Sequence, residues 1–283
     1  MLKQRVITAL VLLAFLLPAL FYREAWAFNA LMLAFIAAGG WEWGRLNRLG
    51  MTASLALGAF TLLLCVASWL GGLLDQPSLR VWLPAGVAWV VVGAWLLRAG
   101  VAGWPQVPAP LRLAGGVLAL WLTWLAVAQA RVIGINFLLS VLVLVWVADI
   151  FAYFAGRAFG TRLVARKLAP AISPGKSWEG VMGGMAGVLI LALVWAWADG
   201  HWAAPVRSFY SHLANGGTLL LVLVALGMAA MSVVGDLVES LIKRSVGAKD
   251  SSGLLPGHGG VLDRVDALLP TLPLAMMFYT LLT

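Results

Sequence analysis

The sequence predicts an all-α fold, a polytopic transmembrane helical bundle of about nine spans with its N-terminus in the cytoplasm. Three observations carry this. With 63% hydrophobic residues, 11% charged residues and a mean hydropathy of +0.97, the chain cannot clothe the surface of a water-soluble globule. Apolar stretches of the roughly 20 residues needed to cross a bilayer recur along its whole length. The Lys and Arg residues also alternate between sides: nine spans put fifteen of them on the cytoplasmic side and only Arg23, Arg80, Arg131 and Arg207 outside.

The spans fall near residues 6–22, 26–43, 54–74, 80–97, 113–130, 135–155, 181–199, 218–242 and 267–282. Lys3 and Arg5 precede the first and hold its start inside. That span has the charge pattern of a signal peptide, but no small-x-small cleavage pattern precedes Arg23 and a second apolar run follows at once, so it is read as retained. The second to fifth spans carry charge only in loops and at their ends, with Trp at many ends as interfacial anchors. Pro105, Pro108 and Pro110 break the chain between 100 and 116, where a hinge is expected. Residues 1–130 therefore read as an N-terminal transmembrane scaffold. Residues 131–283 read as the catalytic region, with cytoplasmic loops 156–180 and 243–266.

From the sixth span onward, charge lies in or beside the membrane, where it is costly and usually functional. In Gly235-Asp236-Leu-Val-Glu239-Ser240-Leu-Ile-Lys243-Arg244 the polar residues stand at offsets 0, 3, 4, 7 and 8 from Asp236, which makes one polar helix face. The bland alternative is an i,i+4 ion pair, most readily Glu239 with Lys243. Asp236 lies deeper, and a divalent cation is a natural partner for it. Next, Lys249 and Asp250 lead into Gly257-His258-Gly259-Gly260, a loop whose backbone amides can cradle phosphate oxygens. Asp263 and Asp266 follow at i and i+3, on one face at a helix start, where they either flank one Mg²⁺ or simply complement the helix dipole. His258 is open between general base, phosphate ligand and turn residue. Five carboxylates (Asp236, Glu239, Asp250, Asp263, Asp266) and four bases (Lys243, Arg244, Lys249, Arg264) within about thirty residues point to metal-assisted phosphate chemistry. A second basic loop, Ser173-Pro-Gly175-Lys176-Ser177, is not a P-loop, because Pro170 stands where the first glycine is required.

The basic residues are dispersed over membrane-facing loops, which argues against nucleic acid and for anionic lipid and phosphate as partners. Cys65 is the only cysteine, so there is neither an intrachain disulfide nor a cysteine metal site. A transporter or channel lined by Asp149, Asp236 and Glu239 is the rival class.

The stretches Ser240-Leu-Ile-Lys243-Arg244, Lys249-Asp250 and Pro256-Gly257-His258-Gly259-Gly260-Val-Leu-Asp263-Arg264-Val-Asp266 resemble the signature of bacterial phosphatidate cytidylyltransferases. Asp149, Tyr153, Gly156 and Arg157, with Ile172 to Gly180, resemble the same family. The close likeness covers about 145–270; the first half matches in hydrophobic character. The resemblance implies an enzyme of the bacterial cytoplasmic membrane, its site facing the cytoplasm, that transfers CMP from CTP to phosphatidic acid and releases pyrophosphate. It implies Asp236, Lys243, Asp263 and Arg264 as catalytic residues, with Asp236 and Asp263, assisted by Asp266, as Mg²⁺ ligands. Ser173, Lys176, Ser240, Arg244, Lys249, Gly257, His258, Gly259 and Gly260 would bind substrate. A second, monovalent cation and a homodimer are compatible with it.

Overall fold

A computed structural model describes residues 2–283, with the side chains of Leu2 and Lys3 outside the described set. Helices stand at all nine expected positions: α1 (Leu2–Phe21), α2 (Trp26–Leu46), α3 (Met51–Leu70), α4 (Leu79–Gly103), α5 (Ala109–Ile133), α6 (Ile135–Phe159), α7 (Trp178–His201), α9 (Thr218–Ser245) and α11 (Leu268–Leu282). Between them lie two short helices that hydrophobic runs cannot announce, α8 (Phe209–Asn215) and α10 (Leu262–Val265). Seven of the helices are long and apolar enough to cross a membrane. Two of the expected spans are not in that group. α11 has only 15 residues, and α2, with 21, is diluted by Asn29, Gly39, Gly40 and Glu42.

Small residues let these helices approach closely, as expected where lipid supplies no hydrophobic drive for association. On α7, Gly183, Gly184 and Gly187 face α6, and a Cβ on any of them would collide with Ala155, the Ala148 carbonyl or the Phe151 ring. Gly40, Gly44 and Gly58 do the same between α2 and α3. The break expected near 100–116 is present and tightly packed. Gly100 adopts φ +68°, a 3₁₀ turn covers Trp104–Gln106, and Pro108 precedes α5. Trp104 is buried there, edge-on to Trp43 with centroids 5.8 Å apart.

One end of the bundle gathers the C-termini of α2, α4, α6 and α9 with the N-termini of α1, α5, α7 and α11. At the opposite end Arg131, buried near the end of α5, donates from Nε to the Leu20 carbonyl (3.1 Å) and from Nη2 to the Tyr22 carbonyl (2.6 Å). The Leu20 carbonyl belongs to the last turn of α1, where carbonyls lack helical partners, and Tyr22 lies just beyond it. Arg131→Ala is expected to cost about 2–3 kcal/mol, since both bonds come from a charged donor. A melting temperature lowered by several degrees in detergent is the check.

Candidate active site

The loop after α9 is shaped by its glycines. Gly257 (φ +78°) and Gly259 (φ +84°) take left-handed conformations that a side chain would strain, and they allow Leu255 N–H to bond the Gly259 carbonyl at 2.8 Å. Gly260 is required for a different reason: a Cβ there would overlap Ser251 Oγ and Glu42 Oε1. The first helix also reaches this loop. Arg5 Nε donates to the Gly257 carbonyl and Thr8 Oγ1 to the Pro256 carbonyl, both at 2.9 Å.

Glu42 is the residue that sequence reasoning missed. Fully buried near the end of α2, it accepts four hydrogen bonds from the loop. Val261 N–H (2.9 Å) and Ser252 Oγ (2.5 Å) donate to Oε1; Leu262 N–H (2.8 Å) and Ser251 Oγ (3.2 Å) donate to Oε2. Val261 and Leu262 begin α10, so the carboxylate caps that turn from a distant helix. Its signal in the sequence was a lone acid inside an apolar segment, read as span-end charge.

Asp263, in the first turn of α10, is equally engaged. Its Oδ2 accepts from Gly260 N–H (2.7 Å), Ser251 Oγ (2.8 Å) and Ser251 N–H (2.9 Å), and its Oδ1 from Lys243 Nζ (2.5 Å). Burial pushes its pKa up, but the Lys243 ammonium and these donors outweigh burial and hold it below the usual carboxylate range. Lys243 also pairs with Glu239 one turn earlier on α9, so a single buried ammonium serves two carboxylates. The i,i+4 pair anticipated as the bland reading is therefore real, and it is shared with the loop.

A third cluster lies on the α6 and α7 side of α9. Loop 160–177 is folded by Ser173 N–H bonding the Ala169 carbonyl (2.8 Å) and is tied down by Glu179, whose Oε1 accepts from Leu163 and Val164 N–H at 2.9 Å each. Ser177 caps α7 by accepting from Gly180 N–H (3.2 Å). This arrangement carries Lys176 onto Asp236, with which it forms an ion pair, while Ser240 Oγ lies 3.2 Å from Asp236 Oδ1. Asp149 stands within the field of Asp236, Lys176 and Arg264. Asp266 is pushed up to about 7, by burial first and by the Asp236 charge next. Asp149, Asp236 and Asp266 thus lie close together, with Lys176 paired to Asp236.

Comparison with known proteins turns this arrangement into a family assignment. The chain matches the Cytidylyltransferase family over residues 3–282. The chain belongs to this family. It is 41% identical over 278 residues to a phosphatidate cytidylyltransferase of Pseudomonas aeruginosa, covering 96% of this chain and 95% of that one. To the phosphatidate cytidylyltransferase of Haemophilus influenzae it is 36% identical over 299 residues, with 99% of each chain covered. A Thermotoga maritima protein of the same name is 39% identical over 145 residues, about half of either chain. The resemblance read from the C-terminal motifs is borne out, and it extends through the first half of the chain, where Glu42 lies.

Viewed as a cytidylyltransferase, the chain divides the expected residues among distinct positions. Asp236, Ser240, Lys176 and Asp266 converge; Lys243 and Asp263 form the neighbouring pair. Arg244, Lys249 and Arg264 are exposed, and Arg244 Nη1 donates to the Ala248 carbonyl at 3.3 Å. His258 is half-buried with an unpartnered Nδ1, and its backbone N–H bonds the Leu255 carbonyl at 2.8 Å. Ser173 is partly buried in its turn, its backbone rather than its hydroxyl making the bond noted above. Among the described residues, no three His, Cys, Asp or Glu side chains are arranged to hold a metal ion. Lysines occupy that role on Asp236 and Asp263. The donor set nonetheless suits a hard divalent cation, because the carboxylates around Asp236 exceed the positive charge that Lys176 supplies.

Proposed function

We propose that this chain transfers CMP from CTP to phosphatidic acid, giving CDP-diacylglycerol and pyrophosphate for phospholipid synthesis. The observation that carries the reading is the meeting, at one end of a membrane bundle of this family, of an acidic cluster, two ion-paired lysines and a glycine loop. A phosphatidate oxygen attacks the α-phosphorus of CTP, a new P–O bond forms, and the bond from α-phosphorus to the bridging oxygen breaks as pyrophosphate leaves. The difficulty is electrostatic, since one anion must approach another. Lys176 and Lys243, held now by Asp236 and Asp263, are the cations placed to exchange onto phosphate oxygens, with Arg244, Lys249 and Arg264 adding charge at the rim. The Gly257–Gly260 turn is tied to Asp263 through the Gly260 N–H, and its glycine backbone suits the triphosphate. Mg²⁺, held by Asp236 and Asp266 with Asp263 joining by exchange with Lys243, would supply charge compensation on the triphosphate.

The distribution of Lys and Arg supports a cytoplasmic site in the bacterial inner membrane, reached by CTP from water and by phosphatidate sideways from lipid. Incubating the purified chain with phosphatidate and CTP labelled at the α- or the γ-phosphate tests the chemistry. Label from the α-position alone is expected in lipid; γ-label in lipid would mean a kinase. Chelation should stop turnover and Mg²⁺ restore it. Asp236→Ala is expected to lower turnover at least about a hundredfold, in the range seen when a group stabilising the transition state is removed.

A further inference from the structure

A cavity of about 280 Å³ lies between α4, α5 and α9, away from the Lys176 cluster. Small residues line it, Ala85 and Ala88 on α4 with Gly115 and Ala119 on α5. Its flank is open, and the side chains there, Val92, Trp95, Leu111 and Leu118, are exposed. An apolar cavity of this kind stays dry, so between membrane helices its natural filling is hydrocarbon. The wall on α9 includes Val238, Glu239 and Ile242, interleaved with Asp236, Ser240 and Lys243, and Leu262 of the wall adjoins Asp263. The cavity thus meets the candidate site at Glu239, which lines it and pairs with Lys243.

Its rim is not apolar. Trp104 and Arg112 line the cavity, and Trp104 Nε1 and Arg112 Nε are buried without a hydrogen-bond partner among the described residues. The Arg112 guanidinium lies 5.8 Å from the centre of the Trp104 ring, so the two unpaired donors belong to one place. Buried donors are almost always satisfied, and two orphans at the mouth of an apolar groove ask for an acceptor attached to a chain. The carboxylate in the wall, Glu239, is offset by Lys243.

We propose that this groove binds an acyl chain of the phosphatidate substrate, with Arg112 and Trp104 holding an ester or phosphate oxygen at its rim. The proposal rests on the phosphatidate reading above and adds the residues that recognise the lipid. Gly115→Phe is the discriminating variant, because a Cβ on Gly115 meets nothing within 4 Å, so the side chain can enter the groove without displacing the bundle.

With CTP saturating, Gly115→Phe should raise KM for dioleoyl phosphatidate roughly tenfold, the order expected when about ten close contacts between the acyl chain and the groove wall are lost. KM for dihexanoyl phosphatidate and for CTP should stay within about twofold of the parent, a split that a general loss of structure cannot produce. Trp104→Phe and Arg112→Gln should raise KM about fivefold for both lipids, as loss of one hydrogen bond to the head region requires. An equal effect of Gly115→Phe on long and short chains, or none on either, overturns the proposal. Direct binding separates its failure from failure of the phosphatidate reading. Phosphatidate with a photoreactive diazirine in its acyl chain should label α4 and α5, and excess phosphatidate but not phosphatidylcholine should suppress the labelling. Should the parent chain make no lipid product, that reading falls, and labelling still decides the groove: equal competition by both lipids, or labelling only elsewhere, rejects it.

Discussion

Glu42→Ala is expected to reduce turnover at least about a hundredfold while leaving a membrane-inserted protein. The substitution strips three donors of their acceptor at once, the Val261 and Leu262 amides and the Ser252 hydroxyl, and leaves the Ser251 hydroxyl to Asp263 alone. Each buried donor left unsatisfied costs about 1–3 kcal/mol, which is more than a surface loop can absorb in place. The start of α10 would lose its cap, and Asp263 and the glycine turn would lose their fixed position. Glu42→Gln should fall between the alanine variant and the parent. Its carbonyl oxygen still accepts, but its amide faces backbone N–H groups that can only donate. Turnover together with proteolysis of residues 247–261 measures both effects; an alanine variant with parental turnover and an uncut loop would dismiss the clamp.

The second large effect is expected at Lys243. Lys243→Met leaves Glu239 and Asp263 buried without their shared ammonium. Breaking a buried ion pair by removing one partner typically costs about 3–5 kcal/mol, so the detergent-solubilised variant should melt well below the parent. Adding Glu239→Gln removes one of the stranded charges and should restore much of the stability. Turnover should not return with it, because the cation meant for phosphate is still missing. If activity recovers alongside the melting temperature, Lys243 is structural only.

What could be read in advance follows from the range of the forces involved. The helices were legible because an apolar run of about 20 residues answers to the bilayer locally, whatever its neighbours do. The polar face of α9 was legible for the same reason, since residues i, i+3 and i+4 of one helix must share a side. Likewise the turn from Gly257 to Gly260 declares its conformation by its own residues. Which side chains meet was not legible. Lys176 reaches Asp236 only because Glu179 and Ser177 fold the intervening loop, and no spacing encodes that contact. Glu42 was the larger omission: it sits in a region that reads as plain membrane helix, and its partners lie more than two hundred positions away. The dilution of α2 by Asn29, Gly39, Gly40 and Glu42 was the available hint, because a helix that falls short of span hydropathy usually has polar business inside the protein.

The contacts of Arg5, Thr8 and Glu42 with residues 256–262 also set an order of events in synthesis. All three belong to α1 and α2, which are made more than two hundred residues before their partners in the segment preceding α11. Throughout translation of the intervening chain, the Glu42 carboxylate stands near the end of an inserted helix with none of its four donors yet made. Closure of the site therefore waits until residues 251–262 have been made. A chain that stops after α9 keeps its long apolar helices yet lacks everything that Glu42 was placed to hold, which makes this single acid a marker of completed biogenesis.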